Sequence, residues 1–392
     1  MSNLILRNHS GHVVSCSESV IIPDSFCPSG PKSDELALLA FVLITLTASV
    51  QKRQLGFYLP FSTKFWWYPL FGRGYQNVKE EAEKQNLIEL NEIYSVGVFS
   101  KSVRLTKVHR SGSWKLYKIR KPSILRRLQK WRKGVQKRLG ETGVFLSKCF
   151  NNFRLELTRR EISRQSIYSG FLIVAIQEGY YFANRCEYGR FHSTFTGLPR
   201  KVRKKLTTIQ GQKTVEIDIA NCQPLLLGLL VAEQMSKSDV SSYMDLCVNG
   251  QIYDCFSNCL PRLEYIDKKG QKRARRANKQ TAKQKFLEMT FGSQSQMAHN
   301  PLFESLEKRF PSVACFLVSS KMERYQAVAH KLQRFESSIM IDVCVRSYMR
   351  ESLDVLTIHD SVIVADNKEE TVRDIIYEAF SSWGVRPLLN IS

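Results

Sequence analysis

Paired metal-binding cysteines are missing from this 392-residue chain. Its ten cysteines show no CxxC spacing, Cys255 and Cys259 have no second pair to answer them, and the seven histidines supply no HxxxH. A zinc finger or zinc ribbon is therefore excluded, and buried, reduced thiols in a reducing, cytoplasmic compartment are expected. Long apolar runs are scarce too. The longest, Leu36 to Val50, has 15 residues and contains Thr45, Thr47 and Ser49, short of the ~20 that a spanning helix needs. No basic segment with a cleavage site precedes it, so no signal peptide is expected. No internal repeat or low-complexity tract stands out. Acidic residues are few, 36 against 58 Lys and Arg, for a formal net charge of +22. Such a balance points to a nucleic acid before an anionic membrane surface. No broad Trp/Leu face suits a lipid surface, so no membrane partner is expected. With 43% hydrophobic residues the chain can bury a core, and its length allows two or three domains.

Residues 1–32 read as an irregular arm, with Pro23, Pro28, Gly30 and Pro31 near its end. The apolar run then reads as a core helix, with Ser33 as N-cap and Asp34 and Glu35 in its first turn. An aromatic stretch, a helix over about 75–85, a short apolar run at 87–90 and an alternating segment from Ile93 to Leu105 around Gly97 follow. Helices followed by a hairpin have the pattern of a winged helix, so 33–110 reads as a winged-helix-like DNA-binding domain, with Lys101, Arg104, Lys107 and Arg110 suited to phosphates. Residues 111–185 form a basic helical region. Arg126, Arg127, Lys130, Arg132, Lys133, Lys137 and Arg138 surround Leu125, Leu128 and Trp131, which suits sequence-independent, salt-sensitive phosphate contact. Ser169 to Phe182 reads as a buried helix.

Three pieces carry chemistry. Thr214-Val-Glu-Ile-Asp218-Ile alternates as a strand, and Pro224 opens an apolar helix, so Asp218 stands at a strand-to-helix junction. In Leu356-Thr-Ile-His-Asp360-Ser-Val-Ile-Val, apolar strands flank a polar triplet suited to a tight turn. Between them, Lys279, Lys283 and Phe291 fall on roughly one face of a helix. Singly, each has a plain alternative: a capping Asp, a turn Asp, a solvated basic helix. Together they offer two carboxylates for metal ions and cations for a triphosphate.

In this order the pieces resemble the family A DNA polymerases and their relatives, the single-subunit RNA polymerases. Asp218 stands where the first palm motif has its metal-binding Asp. Lys279, Lys283, Phe291 and Gly292 match the finger-helix pattern Arg/Lys-x3-Lys-x7-Tyr/Phe-Gly, and His359-Asp360 matches the last palm motif. Upstream, Tyr188-Gly189-Arg190 with Ser193, followed by Arg203, is similar to the Gly-Arg-x-x-Ser segment and its following Arg. The resemblance covers about 185–370. It departs at Lys279, where Arg is usual, at Gln223, where an acidic residue is usual, and at Ser361, where DNA polymerases carry Glu.

The resemblance implies an α+β right-hand fold: a palm of antiparallel sheet with helical fingers over 186–392, and a thumb-like role for 111–185. It implies a DNA polymerase acting on a primed template with nucleoside triphosphates. Asp218 and Asp360, with His359 beside them, would hold two Mg²⁺ ions, with Mn²⁺ as an alternative, ~3.5–4 Å apart. Lys279 and Lys283 would neutralise the β/γ-phosphates, Phe291 and Gly292 would lie by the incoming base, and bulky Gln223 and hydroxyl-free Phe291 favour deoxynucleotides. Arg190 would touch the minor groove. Arg203 joins the DNA contacts, and Gln333 or Glu336 would reach the primer terminus or the metal shell. No acidic cluster suggests a proofreading exonuclease, and replication of a plasmid or phage-like element is the expected setting. The alternatives are a non-catalytic DNA-binding initiator with a degenerate polymerase fold, and RNA-polymerase or primase-like synthesis. Protein partners cannot be read.

Overall fold

The computed structural model describes residues 19–49, 58–94, 101–110, 113–179, 181–235, 237–266 and 271–392. The chain is a mixed α+β protein with small sheets. Its contacts divide it into two compact units, 1–186 with 191–214, and 187–190 with 215–392. No helix among the described residues is long and apolar enough to cross a membrane.

In the first unit, the irregular arm expected over 1–32 differs at 19–23, while its residues 1–18 lie outside the described residues. Ser19–Pro23 is a strand, paired antiparallel with Trp114–Lys118. Val20, Ile21 and Ile22 are fully buried, and three consecutive β-branched residues fit a strand covered on both faces. The helix Ser33–Ser49 carries Asp34 and Glu35 in its first turn. Asp34 is buried, and its carboxylate accepts from the backbone N–H groups of Arg120 (2.7 Å) and Lys121 (2.6 Å) and from the Tyr117 hydroxyl (2.9 Å). This acid thus ties the helix to the strand that pairs with Ser19–Pro23.

The hairpin also differs from the reading. Ser102–Leu105 pairs with Ile88–Asn91, upstream of the segment expected, and Leu59–Pro60 adds a third strand. Gly97 lies outside the described residues. Three of the four cations suited to phosphates are engaged by neighbouring acids. Lys101 pairs with Glu92, and Arg104 (2.5 Å) and Arg110 (3.2 Å) share Glu89. Burial raises the Glu89 acid, but Arg104 and Arg110 outweigh it and hold the carboxyl below its ordinary value.

The basic helix spans Pro122–Cys149, broken at Gly140 (φ 64, ψ −178). Glycine visits that left-handed backbone without a Cβ penalty, so one amphipathic stripe cannot run the full length. Arg126 is exposed. Arg127 is half-buried, lying against Gly72 and donating to the Leu70 carbonyl at 3.5 Å. Lys130 falls among side chains outside the described ones. The helix expected over 169–182 spans Ile167–Gln177, with Ser166 as its N-cap. Arg203 belongs to this unit and donates to the Leu198 carbonyl at 2.8 Å.

The second unit is built on a four-stranded sheet ordered Leu356–Ile358, Ser361–Ala365, Thr214–Ile219, Leu389–Ile391. Leu356–Ile358 pairs antiparallel with Ser361–Ala365, and Thr214–Ile219 with Leu389–Ile391. The helices include Cys222–Ala232, Ile252–Cys259, Lys279–Phe291, Pro311–Glu323 and Ala327–Ser337. In the first of these, a Cβ at Gly228 would lie 2.4 Å from Met244 Sδ and 3.0 Å from the Tyr243 ring, so a neighbouring helix packs directly on its backbone.

Candidate active site

The strand Thr214–Ile219 ends where Asn221 turns left-handed (φ 54, ψ 33), a conformation asparagine tolerates better than most residues. The helix Cys222–Ala232 starts there, with Pro224 in its first turn and Leu225, Leu226, Leu227 and Leu229 buried. Asp218 is thus held one residue before the end of a sheet strand and just ahead of a buried helix. Asp360 sits in the two-residue turn His359–Asp360 between Leu356–Ile358 and Ser361–Ala365. His359 has φ +56, a left-handed backbone that costs a non-glycine residue about 1–2 kcal/mol. Both carboxylates therefore follow or precede a turn residue held in a sparsely populated conformation, a recurrent feature of functional sites.

The two turns meet. The Ile219 N–H donates to the Asp360 carbonyl at 3.2 Å, so the turn that holds Asp360 meets the end of the strand that holds Asp218, and Ser361–Ala365, which follows Asp360, adjoins that strand in one sheet. Their charges interact, and a third acid joins them. Burial, then Glu336, then Asp218 push the Asp360 carboxyl up to about 7, against a smaller lowering by Lys283. Glu336 lies on the Ala327–Ser337 helix and is buried. It accepts two hydrogen bonds from Arg190, at 2.8 Å from Nε and 2.7 Å from Nη2, and one at 2.5 Å from Gln223 Nε2. A carboxylate only accepts, so the Gln223 amide must turn its NH₂ toward Glu336. Its oxygen is then shielded from solvent with no hydrogen-bond partner among the described residues.

Three acids and one guanidinium thus share a small volume. Crowded oxygen donors of this kind suit a hard divalent cation such as Mg²⁺. Among the described residues, no group of three His, Cys, Asp or Glu side chains is arranged to hold a metal by itself. Magnesium in nucleotide chemistry is commonly held by one or two carboxylates plus the substrate's phosphates, a requirement that two aspartates can meet.

The helix Lys279–Phe291 is capped by Asn278, whose side chain accepts from the Thr281 N–H. Its buried face holds Ala282, Phe286, Met289 and Thr290, which leaves Lys279 and Lys283 exposed and Phe291 half-buried. Lys283 acts on Asp360, whereas Lys279 forms an ion pair with Asp254 at 2.7 Å. Gly292 has a backbone role. A Cβ there would lie 2.4 Å from the Glu288 carbonyl oxygen, and its own carbonyl accepts from the buried Lys321 at 2.5 Å. Gln333 is half-buried, one turn before Glu336.

Among solved structures, the chain is similar to the POL domain of Pol1 from M. smegmatis in complex with DNA primer-template and dNTP. The identity is 10% and the TM-score 0.34, over 68% of this chain and 65% of that one. The chain thus spans less than two thirds of that domain's length. No protein-family model and no curated protein matches the chain.

Several residues of the site carry no local signal in the sequence. Glu216 is buried and accepts a hydrogen bond from the Ser361 hydroxyl at 3.0 Å. Cys222 is buried, and burial followed by Asp360, Glu336 and Asp218 raises its thiol well above the ordinary value. Tyr253, also buried, is raised by burial first and by Asp360 among others. Glu216 is discoverable in principle, since it shares the strand face of Asp218 at a spacing of two.

Proposed function

We propose that the second unit carries out template-directed nucleotidyl transfer, adding deoxynucleotides to a DNA primer with the help of divalent metal. The observation that carries this reading is the meeting of the strand end at Asp218 with the hairpin turn at Asp360, with Glu336 and Lys283 acting on the Asp360 carboxyl. Asp218 and Asp360 would hold the metal. When bound, Mg²⁺ supplies charge stabilisation for an in-line phosphoryl displacement and makes a primer hydroxyl a better nucleophile.

The chain's own residues do the rest. Asp360 must shed its proton to serve as a ligand, and Lys283 favours that ionised form. The exposed ammonium groups of Lys283 and Lys279 lie on one helix and would meet the anionic triphosphate, where fixed cations stabilise developing charge. Half-buried Phe291 would give the incoming base an apolar face. Gln223, held by Glu336, would line the sugar side. Arg190 would balance the acid cluster through Glu336 before it meets any DNA.

Primer extension tests this directly, using a primed DNA template with dNTPs or NTPs, with and without Mg²⁺. Metal-dependent extension that prefers dNTPs supports the proposal. A chain that binds the template but extends it with neither nucleotide would instead be a DNA-binding initiator.

A further inference from the structure

We infer that Glu216 and Ser361 are positioning residues for the metal site, locking the register in which the strand bearing Asp218 and the hairpin bearing Asp360 lie side by side. The inference rests on the metal-dependent reading above.

Hydrophobic patterning normally sets strand register, because a one-residue slip moves a whole apolar set to the wrong face. Here patterning is a weak guide. Every residue of Ser361–Ala365 is buried, so Val362, Ile363 and Val364 would be equally content on either face. Leu356–Ile358 is buried throughout as well. Thr214–Ile219 carries Ile217, Ile219 and buried Glu216 on alternate faces. Besides the strand ladder, links between the strands include the Ile219 N–H to the Asp360 carbonyl and, through side chains, the Ser361 hydroxyl to Glu216 Oε1 at 3.0 Å, and the side-chain link resists a slip.

The second link ties the neighbours of both candidate ligands. Glu216 lies two residues before Asp218, on the same strand face, and Ser361 directly follows Asp360. Breaking it would leave a buried carboxylate without this donor, a costlier state than exchanging both groups for apolar ones. The Ser361 proton has one other acceptor, the Ile358 carbonyl at 3.2 Å, which belongs to its own hairpin and gives no link to the Asp218 strand. The Ser361–Glu216 bond therefore adds, beside the Ile219 N–H to Asp360 carbonyl bond, a side-chain link between the hairpin that bears Asp360 and the strand that bears Asp218.

Mn²⁺ binding to the full chain, followed by electron paramagnetic resonance with melting temperatures in parallel, separates positioning from mere support. Glu216→Ala and Ser361→Ala should each weaken Mn²⁺ binding about 10- to 100-fold, as loss of a supporting hydrogen bond around metal ligands typically does. The double variant should be no worse than either single one. Glu216→Gln keeps an acceptor for the Ser361 hydroxyl and should retain most of the affinity. Variants that melt lower yet bind Mn²⁺ as tightly as wild type would overturn the inference. So would a Glu216→Gln protein as weak as Glu216→Ala. If the unaltered chain binds no Mn²⁺, or binds it equally well after Asp218→Asn, the metal-dependent reading itself fails.

Discussion

The Arg190 guanidinium clasps the Glu336 carboxylate through two hydrogen bonds, 2.8 and 2.7 Å long, across 146 residues of sequence. Glu336 is buried and Arg190 half-buried, with 20% of its side chain exposed. Fork-to-fork geometry makes this the strongest kind of side-chain pair.

Removing one partner should therefore be costly. Arg190→Ala should lower unfolding free energy by about 3–5 kcal/mol, because the Glu336 charge stays buried without its cation, and Glu336→Ala should cost less, since Arg190 is half-buried and Asp360 is relieved of a neighbouring acid. Denaturant titration checks this, and the double variant should lose less than the sum of the singles. Arg190→Lys should lose part of the stability, since an ammonium cannot reproduce two parallel bonds.

The carboxylates of the proposed metal site give a sharper expectation. Asp218→Asn and Asp360→Asn should each abolish primer extension while leaving template affinity within about twofold, since neither aspartate supplies a cation to phosphate. Gel-shift and extension assays on the same preparations would decide it.

Asp360 gives a stability signature that needs no substrate. Its carboxyl is pushed from 3.8 up to about 7 in the folded chain, so between these values the native state binds more protons than the unfolded one. The stabilisation tied to this proton is full below pH 4 and is lost as pH rises through 7. In metal-free buffer, Asp360→Asn should gain stability relative to wild type between pH 5 and 8, by at most about 4 kcal/mol at one pKa unit per ~1.4 kcal/mol. Unfolding titrations at several pH values would show it. Adding Mg²⁺ at pH 8 should stabilise wild type and not the variant.

The two lysines of the Lys279–Phe291 helix should differ. Lys283 acts on Asp360, while Lys279 is already paired with half-buried Asp254. Lys283→Ala should raise the KM for nucleotide by about tenfold or more, in line with loss of a charge-assisted contact. It should also move the acid limb of the pH–rate profile upward. Lys279→Ala should have a smaller effect, and Asp254→Ala should free Lys279 without harming extension.

Gly292 offers a test of backbone packing. Its φ is −74, so alanine suffers no left-handed strain, but a Cβ would lie 2.4 Å from the Glu288 carbonyl oxygen and 2.8 Å from Gln296 Oε1. Gly292→Ala should destabilise the chain by about 1–3 kcal/mol, the usual range for overpacking, as read by thermal melts.

Much of the local structure was legible. The strand at 214–219, the apolar helix after it, the helix from Lys279 to Phe291 and the hairpin around His359–Asp360 all stand where alternation, Pro224, helical spacing and a polar triplet put them. These signals are local, since they depend on neighbours within a few residues. The misreadings were local conflicts that longer-range packing settled. Ser19–Pro23 is too short to declare itself without the Trp114–Lys118 strand that covers it, and the Ser102–Leu105 strand pairs with Ile88–Asn91.

Composition and spacing alone determined that this chain is basic, has a buriable core, and carries an aspartate at a strand end, another in a hairpin, and a lysine helix between them. Which charges confront one another was decided only by the tertiary structure: Arg190 and Gln223 on Glu336, Ser361 on Glu216, Lys279 on Asp254, Arg104 and Arg110 on Glu89. Periodicity reports which face of an element a residue occupies. Pairing across tens or hundreds of residues depends instead on how whole elements pack, and a burial pattern of one element carries no record of its partner.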